Sequence, residues 1–273
     1  MPFELPDASG DPFSVNAAAS LIGFISIRDK NAEITEPQSL GSGTLVRMPG
    51  EVYGVLTAAH VLDELPEQGL LGYLIFTRKD RLQQSKIKAE LTRKYYAPGW
   101  RRGATVMPDL GFLQICDPDT LSEMRARGCS FYNLEKDRDL RIGFEGLARE
   151  YFATGVIAET RTVVEAGRGL PKRTGFVAIA GRCREAPARL NEIDQFTIFS
   201  VVIDTDRHPT SYEGMSGGGL WLLTAPDGDT DNMQRFFIGT IFFQSDATDD
   251  GLRILRVHGL PDIYDHLVSL FPK

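Results

Sequence analysis

Glu213-Gly214-Met215-Ser216-Gly217-Gly218-Gly219-Leu220 sets one serine among four glycines and then runs into an apolar stretch. Absent side chains let two backbone N–H groups turn toward one point and let a substrate carbonyl come close. A serine so placed becomes a nucleophile with an oxyanion hole only if a base takes its proton and a carboxylate holds the tautomer of that base. Glycine and serine also gather in turns for conformational reasons alone. The meaning of Ser216 therefore depends on what the rest of the chain supplies.

The chain has four histidines. His60 stands in Val55-Leu56-Thr57-Ala58-Ala59-His60-Val61-Leu62, an apolar strand that runs into small residues and then the imidazole. Asp109 opens Asp109-Leu110-Gly111-Phe112-Leu113-Gln114-Ile115, which puts a carboxylate at the mouth of a buried strand, where water is scarce. The chain order is His, Asp, Ser. On these three motifs the sequence resembles the chymotrypsin-like (trypsin-like peptidase) serine proteases, with Thr-Ala-Ala-His at Thr57, Asp-Leu-x-x-Leu at Asp109 and Gly-x-Ser-Gly-Gly at Gly214. Gly-x-Ser-x-Gly alone is a weak signal; three motifs in family order across most of the chain are a strong one.

The resemblance implies an all-β fold of two packed six-stranded antiparallel β-barrels, with a short interdomain helix and a C-terminal helix. It implies that Ser216 attacks, that His60 takes and returns the proton, and that Asp109 orients the imidazole. It also implies an oxyanion hole from the backbone N–H groups of Gly214 and Ser216. The floor of the primary pocket falls at Thr210 and one wall along Phe242, Phe243 and Gln244. None of these four carries a charge, so an uncharged small or medium side chain is expected before the scissile bond.

Two departures from the secreted members of the family stand out. They keep an aspartate just before the nucleophile, which pairs with a newly cut N-terminal amine; here that position is Met215. They are also tied by disulfides, whereas Cys116, Cys129 and Cys183 are odd in number, widely spaced and read as free thiols. Both features point to the intracellular bacterial and viral-type members and to a reducing cytoplasm. Activity is then expected without N-terminal trimming, with Met215 packed where an ion pair would otherwise form.

With 273 residues, 42% of them apolar and 10% aromatic, the chain suits a globular protein and excludes disordered and collagen-like classes. A formal charge of −7 argues against generic binding to nucleic acid or anionic membrane. No stretch has the length or apolarity of a membrane span, and the N-terminus lacks a basic start followed by an apolar run. The expected partner is a protein or peptide substrate, with activity restrained either by narrow specificity or by a regulatory protein that gates it. No cofactor and no metal is called for.

Residues 1–16 read as an N-terminal arm, residues 17–130 as a first barrel lobe carrying His60 and Asp109, and residues 131–273 as a second lobe carrying Ser216. Strand patterns fall at Leu21 to Arg28, Gly41 to Met48, Val52 to Leu56, Leu70 to Thr77, Lys86 to Thr92 and Asp109 to Ile115. Arg78 to Ser85 reads as a polar turn and Pro118 to Arg127 as a short helix between the lobes. Strands resume at Tyr151 to Ile157, Arg161 to Glu165, Phe176 to Gly181, Phe196 to Ile203, Gly219 to Leu223, Phe236 to Phe243 and Leu252 to Val257. Ile263, Leu267 and Leu270 have helical spacing. The cations between Arg78 and Arg102, interleaved with Tyr95, Tyr96 and Trp100, read as the wet face of a hairpin rather than a nucleic-acid patch.

Some residues have rival readings. Asp63, three residues after His60, is a second carboxylate but reads as a surface or capping acid. His208 reads as a loop histidine, and His258 and His266 as structural. The acidic run Asp227 to Asn232 offers alternating oxygens but lacks the distant glutamate of a calcium hand, so a hairpin turn is expected. Two other functions fit parts of the pattern. An α/β-hydrolase esterase would use Ser216 with Asp246 or Asp249 and His258, and a catalytically silent protease-fold module would use the fold for binding.

Overall fold

The computed structural model describes residues 17–27, 38–77, 81–101, 108–135, 148–157, 177–185, 198–204, 214–225, 234–245 and 252–271. The expected arm at residues 1–16, the strand at Arg161 to Glu165, Thr210, His208 and the acidic run at Asp227 to Asn232 lie outside them. The protein is all-β, with two antiparallel systems and short helices.

The first system contains β1 (Leu21–Ile25), β2 (Ser39–Met48), β3 (Val52–Thr57), β4 (Leu70–Thr77), β5 (Arg81–Lys88), β6 (Thr92–Tyr96), β7 (Gly111–Ile115) and β8 (Tyr132–Asn133). Along the sheet they run β5-β4-β1-β2-β3-β7-β6, and β8 adds to β2 in parallel. This is an eight-stranded sheet in place of the expected six-stranded antiparallel barrel. The stretch read as one strand from Lys86 to Thr92 breaks at a 3₁₀ turn, Ala89–Leu91. That turn spans the two edges of the sheet: Ala89 N donates to the Gly69 carbonyl at 2.8 Å, and Cys116 N donates to the Leu91 carbonyl at 2.9 Å. The supposed turn at Arg78 to Ser85 is mostly strand, because residues 81–88 pair with β4 along their whole length.

The second system is β9 (Ala148–Ile157), β10 (Val177–Glu185), β11 (Ile198–Asp204), β12 (Gly219–Ala225), β13 (Gln234–Gln244) and β14 (Leu252–Gly259). It closes as a six-stranded barrel in the order β10-β11-β14-β13-β12-β9. Closure leaves no edge strand to pair elsewhere. Inside lie Ala153, Ile157, Leu220, Leu222, Ile241, Leu255 and Val257, drawn from alternate positions of these strands.

The interface between the two systems is a core in its own right. β1 is buried over its whole length because it has apolar partners on both faces: Ile22 and Phe24 face the interior of the first sheet, and Leu21 and Ile25 meet Val156 of β9. Val46, Met48, Leu56 and Phe112 from the first sheet join Trp221 and Phe237 from the barrel. The C-terminal elements complete this cluster through Ile263, Tyr264, Leu267, Val268 and Phe271. Burying one such side chain contributes roughly 1.5–3 kcal/mol.

Short helices punctuate the described residues. α1 (Ala59–Glu64) follows β3 directly. α2 (Pro118–Ala126) begins where expected, with Asp117 accepting from Thr120 N at 3.1 Å as N-cap and proline in the first turn. α3 (Leu260–His266) closes the chain against both systems and is followed by a 3₁₀ turn, Val268–Leu270.

Candidate active site

The pairing of β3 with β7 sets the geometry of His60. Thr57 stands opposite Gly111 in an antiparallel ladder. Continuing that register past the end of β3 brings Asp109 alongside the start of α1. The carboxylate then meets His60 twice: Oδ1 accepts from the His60 amide at 3.0 Å, and Oδ2 lies 2.6 Å from the imidazole Nδ1. An ionised carboxylate only accepts, so the proton of that contact sits on Nδ1 and the lone pair on Nε2. The His60 side chain is 40% exposed and that of Asp109 only 16%. The ring is thus open to a substrate while its orienting anion is shielded.

Asp63 is turned elsewhere. Its Oδ2 accepts from the Trp100 indole N–H at 3.3 Å. Burial, with Asp63 beside it, pushes the Tyr96 hydroxyl up to about 12. The rival carboxylate is therefore occupied with two aromatic residues, Trp100 and Tyr96.

Ser216 lies in a loop that precedes β12 and is held by Ser42 of β2. Ser42 N donates to the Ser216 carbonyl at 2.7 Å, and Ser42 Oγ donates to the Gly214 carbonyl at 2.6 Å. The same hydroxyl accepts from Val156 N at 2.8 Å, so one serine grips the loop on both sides of Met215 and ties it to β9. Gly217 has φ +87°, and a Cβ there would strike the Ser42 carbonyl oxygen and Thr57 Oγ1. No other residue fits this position. Thr57 itself donates to the Ser42 carbonyl at 2.6 Å, so the end of the strand that delivers His60 and the loop that carries Ser216 share one anchor.

Met215 is 1% exposed and belongs to the barrel core with Ala153, Leu220 and Ile241. This is the packing expected where an ion pair is absent. Gly214 adopts φ +96°, with the space a Cβ would need taken by Ser39 Oγ and the Val156 carbonyl. The loop is further closed by Gly217 N to the Ile241 carbonyl at 2.7 Å and Gly218 N to the Met215 carbonyl at 2.8 Å. No hydrogen bond joins the Ser216 hydroxyl to the His60 imidazole in this ligand-free structure.

A second histidine stands behind Asp109. His258 of β14 is 2% exposed, and its Nε2 accepts from the Asp109 amide at 3.1 Å. Its Nδ1 lies 2.9 Å from Asp262 Oδ2 in the first turn of α3. Sequence reading assigned His258 a structural role; the signal it missed is the four-residue step from His258 to Asp262 across a helix start marked by Pro261. Phe242, expected on a pocket wall, stacks on the His258 ring at 4.2 Å between centroids and 27° between planes. A β-bulge causes this, because the ladder steps from Ile241 opposite Val257 to Phe243 opposite Arg256 and leaves Phe242 unpaired.

Phe243 is 47% exposed, with the Arg256 guanidinium 5.3 Å from its ring centroid. Gln244 ends β13, half-buried. The basic hairpin has the expected alternation: Lys86 and Lys88 are exposed on either side of buried Ile87. Among the described residues no group of three or more His, Cys, Asp or Glu could hold a metal ion. No helix among them is long and apolar enough to cross a membrane.

No protein-family model matches the chain, and no curated protein matches it. Among solved structures, one described as the structure of GrC aligns over 93% of this chain and 92% of its own, at 13% identity and a TM-score of 0.48. Another, the Bacillus subtilis inhibitor of motility MotI/DgrA, aligns over 89% and 88% at 9% identity and a TM-score of 0.21. Likeness at these levels carries no functional argument.

Proposed function

We propose that this protein is a serine endopeptidase of the chymotrypsin-like class, with His60 as general base and acid, Asp109 as its orienting anion and Ser216 as nucleophile. The observation that carries this reading is the two-point grip of Asp109 on His60, whose side chain is 40% exposed and whose Nε2 is not engaged by that carboxylate. The anchor shared by Thr57 and the Ser216 loop supports it. On this reading the first sheet is a variant of the family's N-terminal barrel and the closed barrel is its partner.

In the proposed reaction the Ser216 hydroxyl attacks the scissile carbonyl while His60 Nε2 takes its proton, and the cation that forms is stabilised by Asp109. The oxyanion meets the amides of Gly214 and Ser216, a type of contact whose loss typically costs about 3 kcal/mol of transition-state stabilisation. His60 then gives the proton to the leaving amine, and water hydrolyses the acyl-enzyme by the same steps in reverse. Catalytic hydrogen bonds are often long before substrate binds. On this reading the Ser216–His60 hydrogen bond forms when substrate or a regulatory protein binds. The guanidinium of Arg256 beside Phe243 places a cation near the proposed wall, which disfavours Arg or Lys before the scissile bond.

The esterase alternative needs a parallel sheet flanked by helices, and the antiparallel all-β architecture rules that out. A peptide-library cleavage profile of wild type against Ser216→Ala tests the proposal. Cleavage lost in the variant is expected. A wild type that cleaves nothing and binds peptides equally well with and without Ser216 would favour the silent binding module.

A further inference from the structure

Asp109 sits at the centre of a tight three-residue turn, closed by Leu110 N donating to the Pro108 carbonyl at 2.8 Å, before β7 begins, so its own amide lies outside the ladder that fixes its neighbours. That amide is bonded across the interface to His258 of the barrel at 3.1 Å. A backbone N–H only donates, so His258 Nε2 must carry a lone pair and its proton must sit on Nδ1. There it faces Asp262 Oδ2 at 2.9 Å, and Phe242 covers one face of the ring. The imidazole is thereby fixed in tautomer and in plane, with 2% of its surface exposed.

We infer that His258, oriented by Asp262, is a positioning residue that holds Asp109 in the place from which it grips His60, an inference that rests on the protease reading above. Three consecutive hydrogen bonds, Asp262 to His258, His258 to Asp109 and Asp109 to His60, run from the C-terminal helix to the reacting imidazole. The first histidine is open to solvent and exchanges a proton with substrate; the second is sealed and exchanges none. Its work is to give the aspartate segment an acceptor that no strand of its own sheet provides. Displacing a catalytic carboxylate by even a fraction of an ångström weakens both of its bonds to His60, and losses of about 10–100-fold are typical when such supporting contacts are removed.

The test combines kinetics with a readout that does not need activity. In the intact wild-type protein, nitrogen-15 NMR of the histidine rings should show His258 protonated on Nδ1 and not on Nε2, and His60 should show a strongly deshielded Nδ1 proton. His258→Leu should lose the deshielded His60 proton and react with a fluorophosphonate about 10–100-fold more slowly. His258→Gln, whose side-chain oxygen can accept from the Asp109 amide, should recover most of the rate and the proton signal. A wild type that fails to react with the probe would sink the protease reading, while the two NMR signatures would still decide the positioning. A His258 ring protonated on Nε2 would overturn the inference, as would a folded His258→Leu that keeps both the His60 proton and the wild-type rate. If His258→Leu does not fold, the comparison of His258→Gln with Asp262→Asn and the wild-type ring spectrum decide the matter.

Discussion

Two histidine–aspartate pairs lie within one bonded chain, and they differ in one respect above all. The His60 side chain is 40% exposed, that of His258 only 2%. Both rings have Nδ1 against a carboxylate, at 2.6 and 2.9 Å. What separates them is the other nitrogen: among the described residues no hydrogen bond is made by Nε2 of the half-exposed His60 ring, whereas that of His258 accepts from a backbone amide. On the proposed reading the same constellation serves as acid–base machinery in the exposed pair and as scaffolding where Nε2 meets the chain. Residue type alone does not distinguish the two.

The comparison breaks most visibly if the exposed pair is dispensable. Ser216→Ala, His60→Ala and Asp109→Asn should each leave a folded protein with hydrolysis reduced by about 10⁴-fold or more, because the three groups act as a unit. Asp63→Asn should keep near-normal turnover, since that carboxylate is bonded to Trp100 and not to His60. Measured peptide hydrolysis showing the opposite pattern for the two aspartates would reassign the site.

A smaller but still large effect is expected at the anchor that joins the exposed pair to its nucleophile. Gly217→Ala would combine a left-handed backbone with collisions against Ser42 and Thr57, and should lower stability by about 3 kcal/mol or more in chemical denaturation. Ser42→Ala removes the hydroxyl that bridges the Gly214 carbonyl and Val156 N, leaving both without that partner. A loss of about 1–3 kcal/mol is expected, with slower reaction at Ser216. An unchanged reaction rate in this variant would show that the loop holds its shape without the bridge.

The smallest effect concerns the thiols. Burial pushes Cys183 up to about 12 and Cys129 up to about 11, whereas Cys116 is exposed. Below about pH 8 the two buried thiols are largely protonated in both the folded and the unfolded chain, and their burial costs nothing there. As pH rises above about 9 the unfolded chain releases these protons first, so stability should fall progressively toward pH 12. A thiol-titrating reagent at pH 8 should find one reactive group in the folded protein and three after unfolding.

Much of this was legible in the chain. The motif order located His60, Asp109 and Ser216, and apolar runs bounded by glycine and proline located most strands. The break at Ala89–Leu91 was not legible, because Lys86 to Thr92 has no proline or glycine to mark a corner and its turn is closed by distant groups, Gly69 and Cys116. Tyr132–Asn133 was missed because a two-residue strand carries no periodicity. His258 was read as structural because the Asp109 amide that explains it lies 149 residues away in the chain. Met215 is buried as its position suggested, while the grip of its loop by Ser42 depends on a cross-interface contact that sequence spacing does not encode.

The most direct measurement is to expose the intact, full-length protein to a serine-directed fluorophosphonate and to locate the adduct by peptide mass spectrometry. The account predicts a single adduct on Ser216, formed at a rate unchanged when residues 1–16 are deleted and abolished in His60→Ala. A protein that stays unmodified, or that is modified at Ser216 only after proteolysis near Ala17 to Gly23, would contradict it.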